Sequence, residues 1–299
     1  MNTTLREGIH WVGCVDWTVR DFHGYQTDRG SSYNAYLVLD EKPALIDTVK
    51  DAFAEEFLAR VRAHIPTDRL AYVVCNHAEP DHSGSLPRAM AACPNAELVC
   101  DAKCRDALGR HYDTSGWRFR IVKTGDSLPL GRRTLTFLET PMVHWPESMF
   151  TYIESDGLLF SMDAFGQHYA SAGRFDDEEP IGTVMEEAKT YYANIVMLYA
   201  RPIARCLERA QGLDIRLIAP SHGVIWRKNL SWVLDAYRRW TSHEVAPKVV
   251  VLYDTMWRST EAMARAIASG AMESAVDVRV HHVRQTSSTV IATEVLDAA

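Results

Sequence analysis

Two rhythms of apolar residues run along the chain. From Tyr33 to Thr241 short runs of strand character alternate with stretches of helical period, and no Gly/Ser-rich linker, repeat or low-complexity stretch interrupts them. Residues 35–39 and 44–46, flanking the polar Asp40-Glu41-Lys42-Pro43, predict a hairpin. Phe53, Phe57, Val61 and Ile65, spaced by four, predict a helix with one apolar face laid on a sheet. Residues 72–75, 98–100, 135–138, 150–153, 158–162 and 217–219 predict further strands. Longer helices are predicted over 181–212, bent or broken near Pro202, and over 230–240. Many strands with helices between them imply sheets covered by helices, an α/β class.

Near Pro247 the pattern starts afresh. Lys248-Val249-Val250-Val251-Leu252-Tyr253 is almost continuously apolar, the character of a strand buried on both faces, and it runs into Asp254-Thr255-Met256-Trp257-Arg258-Ser259-Thr260 and then a helix rich in Ala, Met and Ile. A second strand is predicted over 276–283. This is a βαβ opening, so the chain divides into residues 1–245 and 246–299.

Composition narrows the classes of function. A chain of 299 residues that is 47% hydrophobic has ample material for a core. A net charge of −7, without clustered Lys and Arg, argues against a nucleic-acid partner. The first residues hold no uninterrupted apolar stretch, and no segment approaches the ~20 apolar residues of a membrane span, so no membrane is expected and the cytoplasm is the default. Six cysteines lie without a CxxC pair, which suggests neither a disulfide framework nor a zinc finger. Cys100 and Cys104, four apart, read as two buried thiols rather than a metal pair.

The densest chemistry is in Asn76-His-Ala-Glu-Pro-Asp-His-Ser-Gly-Ser85, where His77, Glu79, Asp81 and His82 fall within six residues directly after a predicted strand. On an extended backbone the spacing HxExDH puts His77, Glu79 and Asp81 on one side and turns His82 the other way, which suits two neighbouring metals. Clustered ligand types also need counter-charge if buried, which weakens a purely structural reading. His144, Asp163 and His222 each follow a predicted strand, where loops converge to form sites in layered α/β proteins. Taken singly, a histidine or aspartate at a strand end is more often a hydrogen-bonding residue than a ligand. Together the seven supply four imidazoles and three carboxylates, enough for two metals with a carboxylate bridge, for which Asp163 is the choice. The other eight histidines, His10, His23, His64, His111, His168, His243, His281 and His282, are assigned no metal role.

The HxExDH segment with His144, Asp163 and His222 downstream resembles the metallo-β-lactamase fold as used by the flavodiiron proteins, also called A-type flavoproteins. Residues 22–37, Ser161-Met-Asp163, Pro220-Ser-His-Gly223 and Tyr253-Asp-Thr-Met-Trp-Arg-Ser-Thr-Glu261 carry the resemblance along essentially the whole chain. It implies a metallo-β-lactamase-like αββα sandwich followed by the first part of a flavodoxin-like doubly wound α/β domain. It also implies that His77, Glu79 and His144 bind one iron and Asp81, His82 and His222 the other, with Asp163 bridging. Glu79 is the discriminating residue. Most hydrolases of this fold have histidine there and use zinc, whereas a carboxylate is a hard anionic ligand that favours iron.

Thr255, Met256, Trp257, Ser259 and Thr260 lie in the turn between the last predicted strand and helix, where backbone N–H groups make an anion site. The resemblance implies the phosphate of FMN there; the alternative is a capping box of Ser259 or Thr260 with Glu261. No GxGxxG or GxxxxGK[ST] is present, so a dinucleotide or triphosphate fits poorly. The chain stops at Ala299, some fifty residues into this pattern, before further strands or flavin loops. A truncated domain is therefore expected, one that binds FMN weakly or not at all and is poorly stable unless packed on something else.

The function implied is an oxidoreductase in which FMN passes electrons to two irons that reduce O2 to water, NO to N2O, or both. An electron donor such as rubredoxin or a reductase, and a head-to-tail homodimer or dimer of dimers, follow from the resemblance, with Glu79 and the Trp145 region on the electron-entry side. His23 and Tyr25 are candidate proton or hydrogen-bond donors in the gas pocket, a structural turn being an equal alternative. The rival class is a dinuclear zinc hydrolase with a bridging water as nucleophile.

Overall fold

The computed structural model describes residues 3–299. Six short strands open the chain: β1 (Thr4–Arg6), β2 (Ile9–Trp11), β3 (Cys14–Asp16), β4 (Asp21–Phe22), β5 (Tyr25–Gln26) and β6 (Ser31–Tyr33). β1 and β2 join β7 (Tyr36–Val38), β8 (Ala44–Ile46), β9 (Tyr72–Val74), β10 (Glu97–Cys100) and β11 (Phe119–Ile121) in a seven-stranded sheet of order β1-β2-β7-β8-β9-β10-β11. The expected hairpin is β7 and β8, antiparallel, with Tyr36 opposite Ile46. From β8 to β11 neighbours run parallel. Parallel neighbours need crossovers, and these carry α1 (Ala54–Arg62), then α2 (Pro80–Ser83) with α3 (Leu86–Ala92), then α4 (Ala102–His111).

The second sheet follows chain order: β12 (Ser127–Pro129), β13 (Thr134–Glu139), β14 (Met149–Ile153), β15 (Leu158–Met162) and β16 (Leu217–Pro220). Its strands are antiparallel until β16, which joins β15 in parallel after a long helical crossover. That crossover holds α5 (Ile181–Tyr191) and α6 (Ala200–Ala210), and α7 (Leu230–Thr241) comes after β16.

Alternation along each strand builds the layers. Leu158 and Phe160 of β15 enter the core between the sheets, as do Ala44, Ile46, Val74 and Val99 of the first sheet. Leu159 faces the opposite way, and past a register shift between Phe160 and Met162 so does Met162, into a core with Tyr191, Tyr192, Ile203, Val233 and Tyr237. On the far side Leu45, Val73, Leu98 and Cys100 meet Phe57, Val61, Leu86 and Leu108 of the first helix layer. The arrangement is helix, sheet, sheet, helix. Strands buried on both faces explain why their sequences read as continuous apolar runs.

The helical run beyond Ile181 departs from expectation. Its interruption lies at residues 192–199, a π-helical turn Tyr192–Val196 followed by a 3-10 turn Met197–Tyr199, and not at Pro202. Pro202 is the third residue of α6, in the first turn, where its missing N–H goes unused.

After residue 245 come β17 (Lys248–Tyr253), α8 (Ser259–Met272), β18 (Asp277–His282) and α9 (Ser288–Val295). β17 and β18 pair in parallel from Lys248 opposite Asp277, in a sheet of their own. β17 was expected to be buried on both faces. It is mostly half-buried, with Leu252 42% exposed, because a two-stranded sheet leaves much of each face uncovered. This unit leans on the sandwich through α9. Leu296 enters the core of α5 to α7, and Asp297 pairs with Lys248 and, at 2.7 Å, with Lys189 of α5.

Candidate metal centre

The loop after β9 is rooted before its first candidate ligand. Asn76 donates to Asp47 through its backbone N–H at 2.7 Å and its side chain at 2.9 Å, and it accepts from Thr151 Oγ1 at 2.7 Å. Beyond His77 the backbone does not stay extended as expected. Pro80, at the first helical position after Glu79, starts the four-residue α2 and curls Asp81 and His82 back. All four side chains of HxExDH therefore enter one pocket, instead of His82 turning away.

The other three arrive from the second sheet. His144 lies between β13 and β14, Asp163 directly follows β15, and His222 follows β16. The turn behind His222 requires glycine: Gly223 has φ +76°, and a Cβ there would stand 2.2 Å from the Gln167 side-chain oxygen.

Asp163 divides the cluster into two halves. Its Oδ2 faces Nε2 of His77 and of His144, each at 3.2 Å, and those nitrogens lie 3.1 and 3.3 Å from Glu79 Oε2. Its Oδ1 faces Nε2 of His82 at 3.1 Å and of His222 at 3.3 Å, and both of those nitrogens lie 3.1 Å from Asp81 Oδ2. Separations near 3 Å are the edges of a coordination polyhedron with bonds of ~2.1 Å. Both oxygens of Asp81 and of Asp163, and Nε2 of His82, His144 and His222, are buried without a hydrogen bond. Orphaned donors and acceptors in such number are costly and call for cations. Imidazole and carboxylate without thiolate suit iron, so the residues present fit a two-iron group.

Charge in the pocket is tightly coupled. Burial lowers His144 and His222, but the carboxylates outweigh it: Asp163 and Glu79 push His144 up to about 9, and Asp163 and Asp81 push His222 up to about 10. Burial raises Glu79, yet His144 and His77 bring it down to about 2. Asp163 and Asp81 are held well below the carboxylate range, against burial, by His82 and the other imidazoles. A cation entering the pocket displaces imidazole protons.

Glu147, Ser32 and His168, which no site expectation included, complete the setting together with the candidates His23, Tyr25 and Trp145. Glu147 accepts from His77 Nδ1 at 2.9 Å and from the Ala78 N–H at 3.2 Å. The Ser32 carbonyl accepts from His222 Nδ1 at 2.6 Å. Each leaves Nε2 of its histidine facing the pocket. His23 Nε2 lies 3.5 Å from Glu79 and 3.6 Å from Asp81, and its Nδ1 is 3.1 Å from His168 Nε2, whose other nitrogen meets Ser31 Oγ at 2.8 Å. Tyr25 packs on His168 with its hydroxyl buried and unpartnered. The Trp145 ring lies edge-on to His77 at 5.2 Å.

The turn from β17 to α8 is open. Met256 and Trp257 are 75% and 84% exposed, and the Thr255 hydroxyl has no partner. No capping box forms: Arg258, at φ 67°, precedes the first turn with no side-chain cap, and Glu261 accepts from Arg265. Among the described residues, no helix is long and apolar enough to cross a membrane.

Residues 32–223 match the family model described as ODP family beta lactamase. A nitric oxide reductase of Moorella thermoacetica is 45% identical over 98% of this chain and 75% of its own length. Among solved structures, the flavodiiron protein of Giardia intestinalis superimposes with a TM-score of 0.95 at 40% identity, over 98% of this chain and 72% of that one. The rubredoxin oxygen:oxidoreductase of Desulfovibrio gigas superimposes with a TM-score of 0.96 at 37% identity, over 100% and 76%.

Proposed function

The chain belongs to the flavodiiron proteins, and from that premise we propose that it is an oxidoreductase that reduces NO to N2O, O2 to water, or both, at two irons held by His77, Glu79, Asp81, His82, His144, Asp163 and His222. The observation that carries this reading is the pair of donor sets sharing Asp163, one containing Glu79 and the other Asp81. His77, Glu79 and His144 would hold one iron, Asp81, His82 and His222 the other, with one Asp163 oxygen to each. A ferrous pair held there would supply the electron-transfer chemistry, two electrons at a time.

The chain's own residues hold and exclude. Glu147 and Ser32 fix the imidazoles they touch, and buried Tyr191, its ring 5.0 Å from His168, helps close the pocket. His23 is the candidate hydrogen-bond donor to a bound gas, and Tyr25 steadies His168 behind it.

The same reading has electrons arriving through FMN, its phosphate at Thr255, Met256, Trp257, Ser259 and Thr260. The unpartnered Thr255 hydroxyl and the exposed turn support it. A rubredoxin-type donor and a head-to-tail homodimer belong to it too, as does a division into residues 1–245 and 246–299, which the separate β17–β18 sheet supports. A cytoplasmic location fits six unpaired, buried cysteines.

The test is anaerobic reconstitution with ferrous iron and an artificial electron donor, measuring metal content, NO consumption and O2 uptake. Two irons per chain with turnover of either gas is the expected result. Two zinc ions with hydrolytic activity and no gas turnover would overturn it.

A further inference from the structure

The hairpin of β4 and β5 hangs over the metal pocket by its tip. His23 and Gly24 form its two-residue turn with φ of 55° and 77°, the left-handed pair of a type I′ turn. A hairpin with two residues per strand cannot hold its place unaided, and histidine in a left-handed conformation adds strain to it. Yet His23 Nε2 stands within 3.6 Å of two proposed ligand carboxylates.

Phe22, stacked on His23 at 4.0 Å, and His168 steady the tip. The base is held from the far end of the chain: the Gln26 N–H donates to Thr289 Oγ1 at 2.9 Å, across 263 residues. Thr289 is buried in the first turn of α9. Helix α9 is itself fixed to the sandwich, because Asn194 Nδ2 donates to the Thr289 carbonyl and to Thr293 Oγ1, both at 3.3 Å. Just after the hairpin, Arg29 donates to Glu187 of α5 at 2.8 Å, so hairpin, α5 and α9 form one braced corner.

We propose that Thr289 is a positioning residue for the site, through which α9 of the β17–β18 unit holds the His23 hairpin closed over the proposed irons. The unit after residue 245 thereby acts on the pocket without touching it. This inference rests on the two-iron reading for its effect on turnover, while the brace itself is read without metal.

The test uses the full, iron-loaded chain with Thr289→Val, which keeps the shape and removes the acceptor, and Thr289→Ser, which keeps the acceptor. Hydrogen exchange of amides 21–27 should be roughly fivefold faster in Thr289→Val, the loss of one hydrogen bond. It should match the parent in Thr289→Ser, with amides 248–253 unchanged in both. Thr289→Val should lower kcat severalfold, Thr289→Ser should restore it, and in a His23→Ala background Thr289→Val should cost nothing more. Unchanged exchange in Thr289→Val, failure of serine to rescue, or additive losses with His23→Ala would overturn the proposal. Iron content in the same samples tests the reading of the site separately.

Discussion

His77 presents Nε2 to the pocket because its Nδ1 is engaged by Glu147, a carboxylate that lies three residues beyond His144 and is itself buried. Such a partner fixes ring orientation and raises the basicity of the ligand. Glu147→Ala should therefore weaken iron binding by about 10- to 100-fold, with Glu147→Gln intermediate. Chelator competition checks this; an alanine variant that holds iron as tightly as the parent would refute it. The seven candidate ligands could be singled out in the sequence because HxExDH concentrates ligand types and the others follow apolar runs. Glu147 was not, since one glutamate among many in the sequence carries no spacing that ties it to His77. His168 and Asp47 were illegible for the same reason: their roles exist only once β6, β8 and the 163–168 turn meet.

At the scale of elements, β7 to β10, β13 to β18 and the longer helices could be read because burial on one or two faces imposes periods of two or four, whereas the short β1 to β6, β11, β12 and the helices α2 to α4 carry too few residues or too little apolar pattern to show one. What periodicity could not show was local irregularity. Pro80 reads as part of an extended motif until its place at the start of α2 is seen, and the π-helical turn Tyr192–Val196 is as apolar as the helix around it. Pro202 drew the predicted break to itself although a first-turn proline breaks nothing. Helix α5 also holds a titrating group. Burial pushes the Glu187 carboxyl from its ordinary 4.5 up to about 7, more than Arg29 pulls it down. The folded protein therefore favours the protonated form, and this group costs stability progressively as pH rises from about 4.5 to 7. Glu187→Gln should accordingly gain roughly 2 kcal/mol on the parent between pH 5 and pH 8. Denaturant titrations at the two pH values would show it, and an unchanged gap between variant and parent would discount the effect.

For the whole molecule, alternation of strands and helices sufficed to indicate a layered α/β fold and the family resemblance implied its four αββα layers, whereas the pairing across them needed long-range contacts that no window of sequence contains. The same holds for α9. Residues 246–299 pack on the rest of the chain through Leu296, Asp297 and Thr289, contacts that were not visible in the sequence. The proposed ligands straddle the sandwich: His77, Glu79, Asp81 and His82 follow the first sheet, and His144, Asp163 and His222 hang from the second. Stripping the metal with a chelator should therefore lower the melting temperature of the chain by about 10 °C, since a ligand bound only by the folded state stabilises it. A scan before and after iron is restored measures this; identical curves would mean that the ions do not tie the sheets together. If they do, iron works in this protein as a clasp as well as a reagent. Molecules that lose it would open along the seam between the sheets and fall first to proteases, so that the amount of protein surviving in a cell would follow the iron available to it.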